Sequence, residues 1–108
     1  MNIRFENGEF ENTLLDARAL KKRIDNDLAK NIYKRLFQLS SLCDSKEFFV
    51  CGLDNPHPLK GDLKGYIGWS IDKKYRLILS FNNTEKQDEV IVKGIADYHG
   101  DKNKWLIA

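Results

Sequence analysis

The sequence predicts an α+β fold: an N-terminal strand and a helical hairpin packed on one face of a small twisted antiparallel sheet. Three observations lead there. The first forty residues contain two runs with apolar side chains at three- and four-residue spacing. The second half contains three runs that alternate apolar and polar residues. The links between those runs are short, and short links join antiparallel neighbours.

Residues 2–6 (Asn2-Ile3-Arg4-Phe5-Glu6) alternate and read as a short strand, which Asn7-Gly8 ends. From Glu9 the pattern is helical and predicts one helix reaching Ile24. Phe10, Leu14, Ala17 and Ile24 fall near one face. Acids at its start (Glu9, Glu11) and bases at its end (Lys21, Lys22, Arg23) suit the helix dipole. Asp25-Asn26-Asp27 is a break and an N-cap. The second helix carries Leu28, Ile32, Leu36 and Leu39, with Tyr33 and Phe37 widening the stripe. A stripe of this kind is core, so no chemistry is assigned to it. A tight turn between the two helices predicts an antiparallel hairpin.

Residues 40–58 lose periodicity and read as a long, irregular connection with Phe48, Phe49 and Val50 tucked onto the body. The strand candidates follow. Residues 66–71 put Ile67, Trp69 and Ile71 on one face. Residues 75–81 alternate Tyr75, Leu77, Leu79 and Phe81 with Arg76, Ile78 and Ser80. Residues 88–96 set Val90, Val92, Gly94 and Ala96 opposite Ile91, Lys93 and Ile95. Asp72-Lys73-Lys74 and Asn82-Asn83-Thr84-Glu85 are the turns.

Length and composition bound the rest. A chain of 108 residues predicts a single domain, 1–108, with residues 100–108 as a C-terminal extension. Its apolar fraction of 42% and charged fraction of 31% exclude a disordered chain. No run of about 18 apolar residues predicts a membrane helix, and the N-terminus lacks the apolar segment of a signal peptide. Cys43 and Cys51 match neither a disulfide framework nor a metal motif. Reduced thiols and no leader predict a cytoplasmic protein.

Net charge is +2, but it is uneven. Lys60, Lys64, Lys73, Lys74 and Arg76 face only Asp62 and Asp72 within residues 57–76. Such a patch suits a phosphate-bearing partner, or is a solvated lysine-rich face.

Alternation also assigns faces. If Leu77, Leu79 and Phe81 face the helices, Arg76 faces away. With Val90 and Val92 on the helix side of a regular strand, Asp97 and His99 also face away. Arg76, Asp97 and His99 then share an uncovered face, provided no bulge intervenes near Gly94.

Two segments have the residue types for chemistry. Residues 57–65, His57-Pro58-Leu59-Lys60-Gly61-Asp62-Leu63-Lys64-Gly65, combine an imidazole, two lysines and two glycines. Lysines meet phosphate as point charges. As a bare pattern this is equally a turn before a strand. Asp97-Tyr98-His99 puts three titratable groups side by side, and alone it is equally structural.

Taken in order, the stretch from His57 to Tyr66, then Trp69-Ser70-Ile71, Tyr75-Arg76-Leu77-Ile78 and Asp97-Tyr98-His99, resembles the HigB toxins of the RelE/ParE superfamily. The motif resemblance covers residues 57–99, and the N-terminal half agrees in layout. It implies a RelE-like fold and a ribosome-dependent mRNA endonuclease that acts in the ribosomal A site and stops translation. It also implies a HigA-type helix-turn-helix antitoxin, with operator DNA reached only through the antitoxin complex. No metal, other cofactor or membrane is implied. The family's functional residues fall on His57, Lys60, Arg76, Asp97, Tyr98 and His99. Lys64, Lys73 and Lys74 would add contacts to RNA phosphate.

These residue types fit metal-independent RNA cleavage. RNA carries its own nucleophile, the 2′-OH. A protein needs to remove that proton, stabilise charge on the phosphoryl oxygens and protonate the leaving 5′-oxygen. Histidine suits proton transfer near neutral pH. Lysine and arginine supply charge where the transition state becomes negative. The resemblance makes His99 the leading proton-transfer group, with Asp97 orienting it or acting as a second acid or base. His57 would position or protonate, and which histidine is the acid stays open. The alternatives are a ParE-like toxin that binds DNA gyrase without catalysis, or an inactive interaction module.

The chain departs from the family pattern twice. Ile67-Gly68 sits between Tyr66 and Trp69 like a two-residue insertion. Nine residues follow His99. Trp105, Leu106 and Ile107 could plug the active face, or the tail could be frayed or form an extra strand.

Overall fold

The computed structural model describes residues 1–50, 56–83, 88–99 and 102–107, apart from the side chains of Ala17, Asp62, Asn83, Tyr98, His99, Ile107 and residues 102–104. Among the described residues it is an α+β structure with four helices and six strands in the order β1 (Asn2–Phe5), α1 (Gly8–Leu15), α2 (Ala17–Arg23), α3 (Asn26–Ser40), α4 (Ser45–Val50), β2 (His57–Pro58), β3 (Ile67–Ser70), β4 (Tyr75–Asn83), β5 (Asp88–His99) and β6 (Lys102–Ile107). A 3₁₀ turn, Gly61–Leu63, lies between β2 and β3.

The sheet runs β1-β5-β4-β3-β2, and β6 adds to β5. All pairings are antiparallel except β1, which lies parallel to β5 from Asn2↔Glu89 to Phe5↔Val92. β6 pairs with the far end of β5, from Ile95 to His99. The tail is therefore an extra strand, the third of the arrangements open to it.

Caps explain the helix boundaries. Asn7 accepts from the Glu9 N–H at 2.9 Å and starts α1. The single helix expected to Ile24 is interrupted at Asp16, whose extended backbone ends α1 while its carboxylate caps α2 through Arg18 and Ala19. The break turns Leu20 fully inward, a core residue the single-helix pattern had missed. Asp25 caps α3 by accepting from the Leu28 N–H at 2.7 Å. Asp25→Ala should lower unfolding stability by about 1 kcal/mol, read from denaturant midpoints.

Phe10, Leu14, Leu20, Ile24, Leu28, Ile32 and Leu39 pack from the helices onto Trp69, Ile71, Leu77, Leu79, Val90, Val92 and Ile95. Tyr33 and Phe37 do not join them. They are exposed on the outer side of α3, although the Tyr33 hydroxyl donates to the Leu14 carbonyl at 2.6 Å. The connection after α3 is less irregular than expected. Residues 45–50 form α4, which buries Phe48 edge-on against Trp69 but leaves Phe49 and Val50 exposed. Residues 51–55, with Cys51 and Gly52, and residues 84–87 of the second turn lie outside the described residues. Cys43 is a free, exposed thiol.

Faces in β3 and β4 follow simple alternation. β5 does not. Ile78 pairs with Gly94 but Leu79 with Val92, so Lys93 is an extra residue in a β-bulge. Beyond the bulge the faces exchange. Ile95 enters the helix-side core, and Ala96 packs with Leu59, Leu63 and Ile78 on the other side. That second face is not uncovered, because the segment after β2 lies against part of it.

Candidate functional site

The segment after β2 is built to sit on the sheet and display its lysines. The Leu59 N–H donates to the Tyr66 carbonyl at 3.0 Å, closing a loop. Inside it, Lys64 donates to Gly61 and Tyr66 to Leu63. Gly61 (φ 68°) and Gly65 (φ 96°) take left-handed conformations that a side chain would strain. Leu59 and Leu63 point inward, while Lys60 and Lys64 are exposed.

His57 is exposed on β2, directly opposite Gly68 of β3. Gly68 leaves little room for a side chain. A Cβ there would lie 3.2 Å from Leu59 Cδ2 and 3.5 Å from Arg76 Cδ. Leu59 and the Arg76 stem thus lie over Gly68, on the face away from the helices. Arg76 is half-buried and pairs with Ser70 on one side and Ala96 on the other. His57, Arg76 and the loop bearing Lys60 therefore converge around Gly68. Their shared chemistry is cationic and proton-transferring, which suits an anionic ester.

Lys73 and Lys74 are exposed in the β3–β4 turn. The Asp72 carboxylate organises that turn by accepting from the Lys74 and Tyr75 N–H groups at 2.8 and 2.7 Å.

Asp97 is not with Arg76. Because of the bulge it pairs with Tyr75, whose ring packs against the helix-side core. Its carboxylate lies 3.9 Å from Lys74 Nζ, and Lys74 also lies over the Tyr75 ring. The expectation that Arg76, Asp97 and His99 share one face rested on an unbroken β5 and does not hold for Asp97. Tyr98 and His99 continue β5 opposite Asn103 and Lys102 of β6. Their side chains are outside the description, and the alternation that tied position 99 to Arg76 is broken.

The sequence reading missed one group. Lys93, thrown out by the bulge, has Nζ 3.3 Å from Glu6 Oε1 and lies over the rings of both Tyr66 and Trp105. The Tyr66 hydroxyl donates to Glu6 Oε2 at 3.0 Å. A shallow cleft of about 400 Å³ lined by Glu6, Asn7, Gly8 and Lys93 opens beside it. The sequence signals were the possible bulge near Gly94 and the apolar tail after the last motif.

No protein-family model matches this chain, and no curated protein sequence does. Solved structures do match its fold. The YoeB/ParE toxin from Agrobacterium tumefaciens superposes with a TM-score of 0.62 at 18% identity, over 92% of this chain and 100% of that one. The match to the YoeB-YefM complex from Staphylococcus aureus has a TM-score of 0.58 at 18% identity, covering 92% of this chain and 97% of that one. The YoeB dimer from Staphylococcus aureus gives 0.53 at 21% identity, with the same coverage. The structural neighbours are thus toxins of toxin–antitoxin systems, and helices on a mostly antiparallel sheet are the fold they share with this chain.

Proposed function

We propose that this protein is the toxin of a type II toxin–antitoxin pair, of HigB type, and that it cuts mRNA on the ribosome. The observation that weighs most is the convergence of His57, Arg76 and the Lys60 loop around Gly68, in a fold shared with YoeB toxins. In this reading Arg76 and Lys60 stabilise the phosphoryl oxygens as the 2′-OH attacks. The resemblance alone carries His99, as the leading proton-transfer group, and Tyr98 beside it; His57, opposite Gly68, positions or protonates. Asp97, held beside Lys74, acts only through the β5 backbone and the turn charge. Lys64, Lys73 and Lys74 guide the RNA. The partner is an antitoxin of the HigA type. The neighbours in complex with YefM give an antitoxin partner its structural precedent.

Primer extension on a defined mRNA, with and without programmed ribosomes, tests the proposal. Cuts in register with the A-site codon and only with ribosomes are expected, and His99→Ala should abolish most of them. A folded wild-type protein that leaves the message intact in both lanes would refute the nuclease role and turn attention to gyrase inhibition.

A further inference from the structure

We infer that Trp105, on the extra strand β6, is a stacking platform for a nucleobase next to the phosphate held at Arg76. This rests on the nuclease reading above. Arg76 pairs with Ala96, and Ala96 pairs with Trp105. Directly opposed residues of neighbouring strands project on the same face. Arg76 and Trp105 therefore stand in one row, on the face away from the helices. Their backbones are two strand spacings apart, about 10 Å. The residue between them is the smallest side chain available, Ala96, buried with Leu59, Leu63 and Ile78. Leu59 and Leu63 cover Ala96, so a nucleotide joining the guanidinium to the indole crosses the loop that carries the exposed Lys60 and Lys64.

Trp105 is also held in place. Lys93 lies over its ring at 5.8 Å and over Tyr66 at 5.1 Å, and is itself fixed by Glu6. A cation on one face of the indole anchors it, and Trp105 still keeps 40% of its surface exposed. An exposed aromatic on the same face as a cationic phosphate site is the arrangement by which proteins hold single-stranded nucleic acid without reading its sequence. A purely structural role for Trp105, pinning the tail, would need the clamp but not the open ring or its place in the Arg76 row.

The second tryptophan makes the test direct. Trp69 is 0% exposed in the core, so a change in indole emission on adding RNA reports Trp105. The wild-type protein would be titrated with a single-stranded oligoribonucleotide whose 2′-oxygens are methylated to block cleavage. Quenching is expected, and Trp105→Phe should remove it while RNA still binds by filter retention. Quenching that survives in Trp105→Phe, or binding with no quenching, would overturn the inference.

The activity arm uses ribosome-dependent cleavage. Trp105→Leu keeps apolar bulk over the Lys93 stem and loses the stacking face. It should reduce cleavage roughly 5- to 100-fold, and Trp105→Phe should restore most of it. Thermal melting verifies that both variants fold. Wild-type cleavage with an equally active Trp105→Leu variant would sink the stacking role and leave the nuclease reading intact. A wild-type protein that neither cuts nor binds RNA would refute both.

Discussion

Replacing Arg76 with alanine is expected to lower ribosome-dependent cleavage by about 100- to 1,000-fold, the usual loss when one group that stabilises transition-state charge is removed. Arg76 is half-buried on β4, with its stem laid over Gly68 beside Leu59. A half-buried guanidinium is less screened than a surface lysine, so its charge acts more strongly on a bound phosphate. Alanine also removes the stem, which packs. Arg76→Met separates the two effects, because it keeps the aliphatic stem and loses only the charge. Both variants should lose cleavage equally, and Arg76→Met should melt close to wild type. Arg76→Lys should recover only part of the rate, since a point charge does not reproduce the planar fork. An Arg76→Met protein that cuts at the wild-type rate would remove Arg76 from the chemistry.

The sequence made some of this site legible and hid the rest for identifiable reasons. Arg76 was placed correctly because β4 alternates without interruption, from Tyr75 through Leu77 and Leu79 to Phe81, and one covered face fixes the other. The Lys60 loop was legible because its glycines and lysines have no place in a strand. Asp97 was misplaced because alternation carries forward only while each residue has one partner. Gly94 marked the place where a bulge was allowed for, but a glycine does not decide whether one forms, and the extra residue proves to be Lys93 beside it. The split at Asp16 was hidden differently, because an acid near the middle of an apolar-periodic run reads as surface until its carboxylate is seen accepting from Arg18 and Ala19. α4 is six residues, too short to show a helical period. Phe37 sits within the sequence stripe, but the helix turns it outward, past the reach of the sheet.

The bulge makes a second large prediction, and its sign opposes the one regular alternation would give. In a regular strand, deleting one residue reverses every face beyond it, and deleting two preserves them. In β5 the roles exchange. Val92 faces the helices, Lys93 and Gly94 both lie on the far side, and Ile95 faces the helices again. Removing Lys93 alone regularises the strand and keeps Ile95 in the core and Ala96 against Leu63. The cost is the Lys93–Glu6 ion pair and the clamp on Tyr66 and Trp105, about 1 kcal/mol for partly exposed contacts. Removing Lys93 and Gly94 together leaves Val92 followed directly by Ile95. Ile95 then leaves the core and Ala96 enters it. A buried isoleucine lost to an alanine-sized side chain costs about 2–5 kcal/mol. That is a large part of the roughly 5–15 kcal/mol that holds a domain of this size together. Urea unfolding should therefore show the single deletion near wild type and the double deletion destabilised by about 2–5 kcal/mol. The reverse order would mean that β5 is regular, and would return Asp97 to the Arg76 face. The single-deletion protein has a further use, since it keeps the sheet while releasing the indole. It should lose the RNA-dependent quenching of Trp105 without losing Arg76, which separates a folded scaffold from a positioned stacking ring.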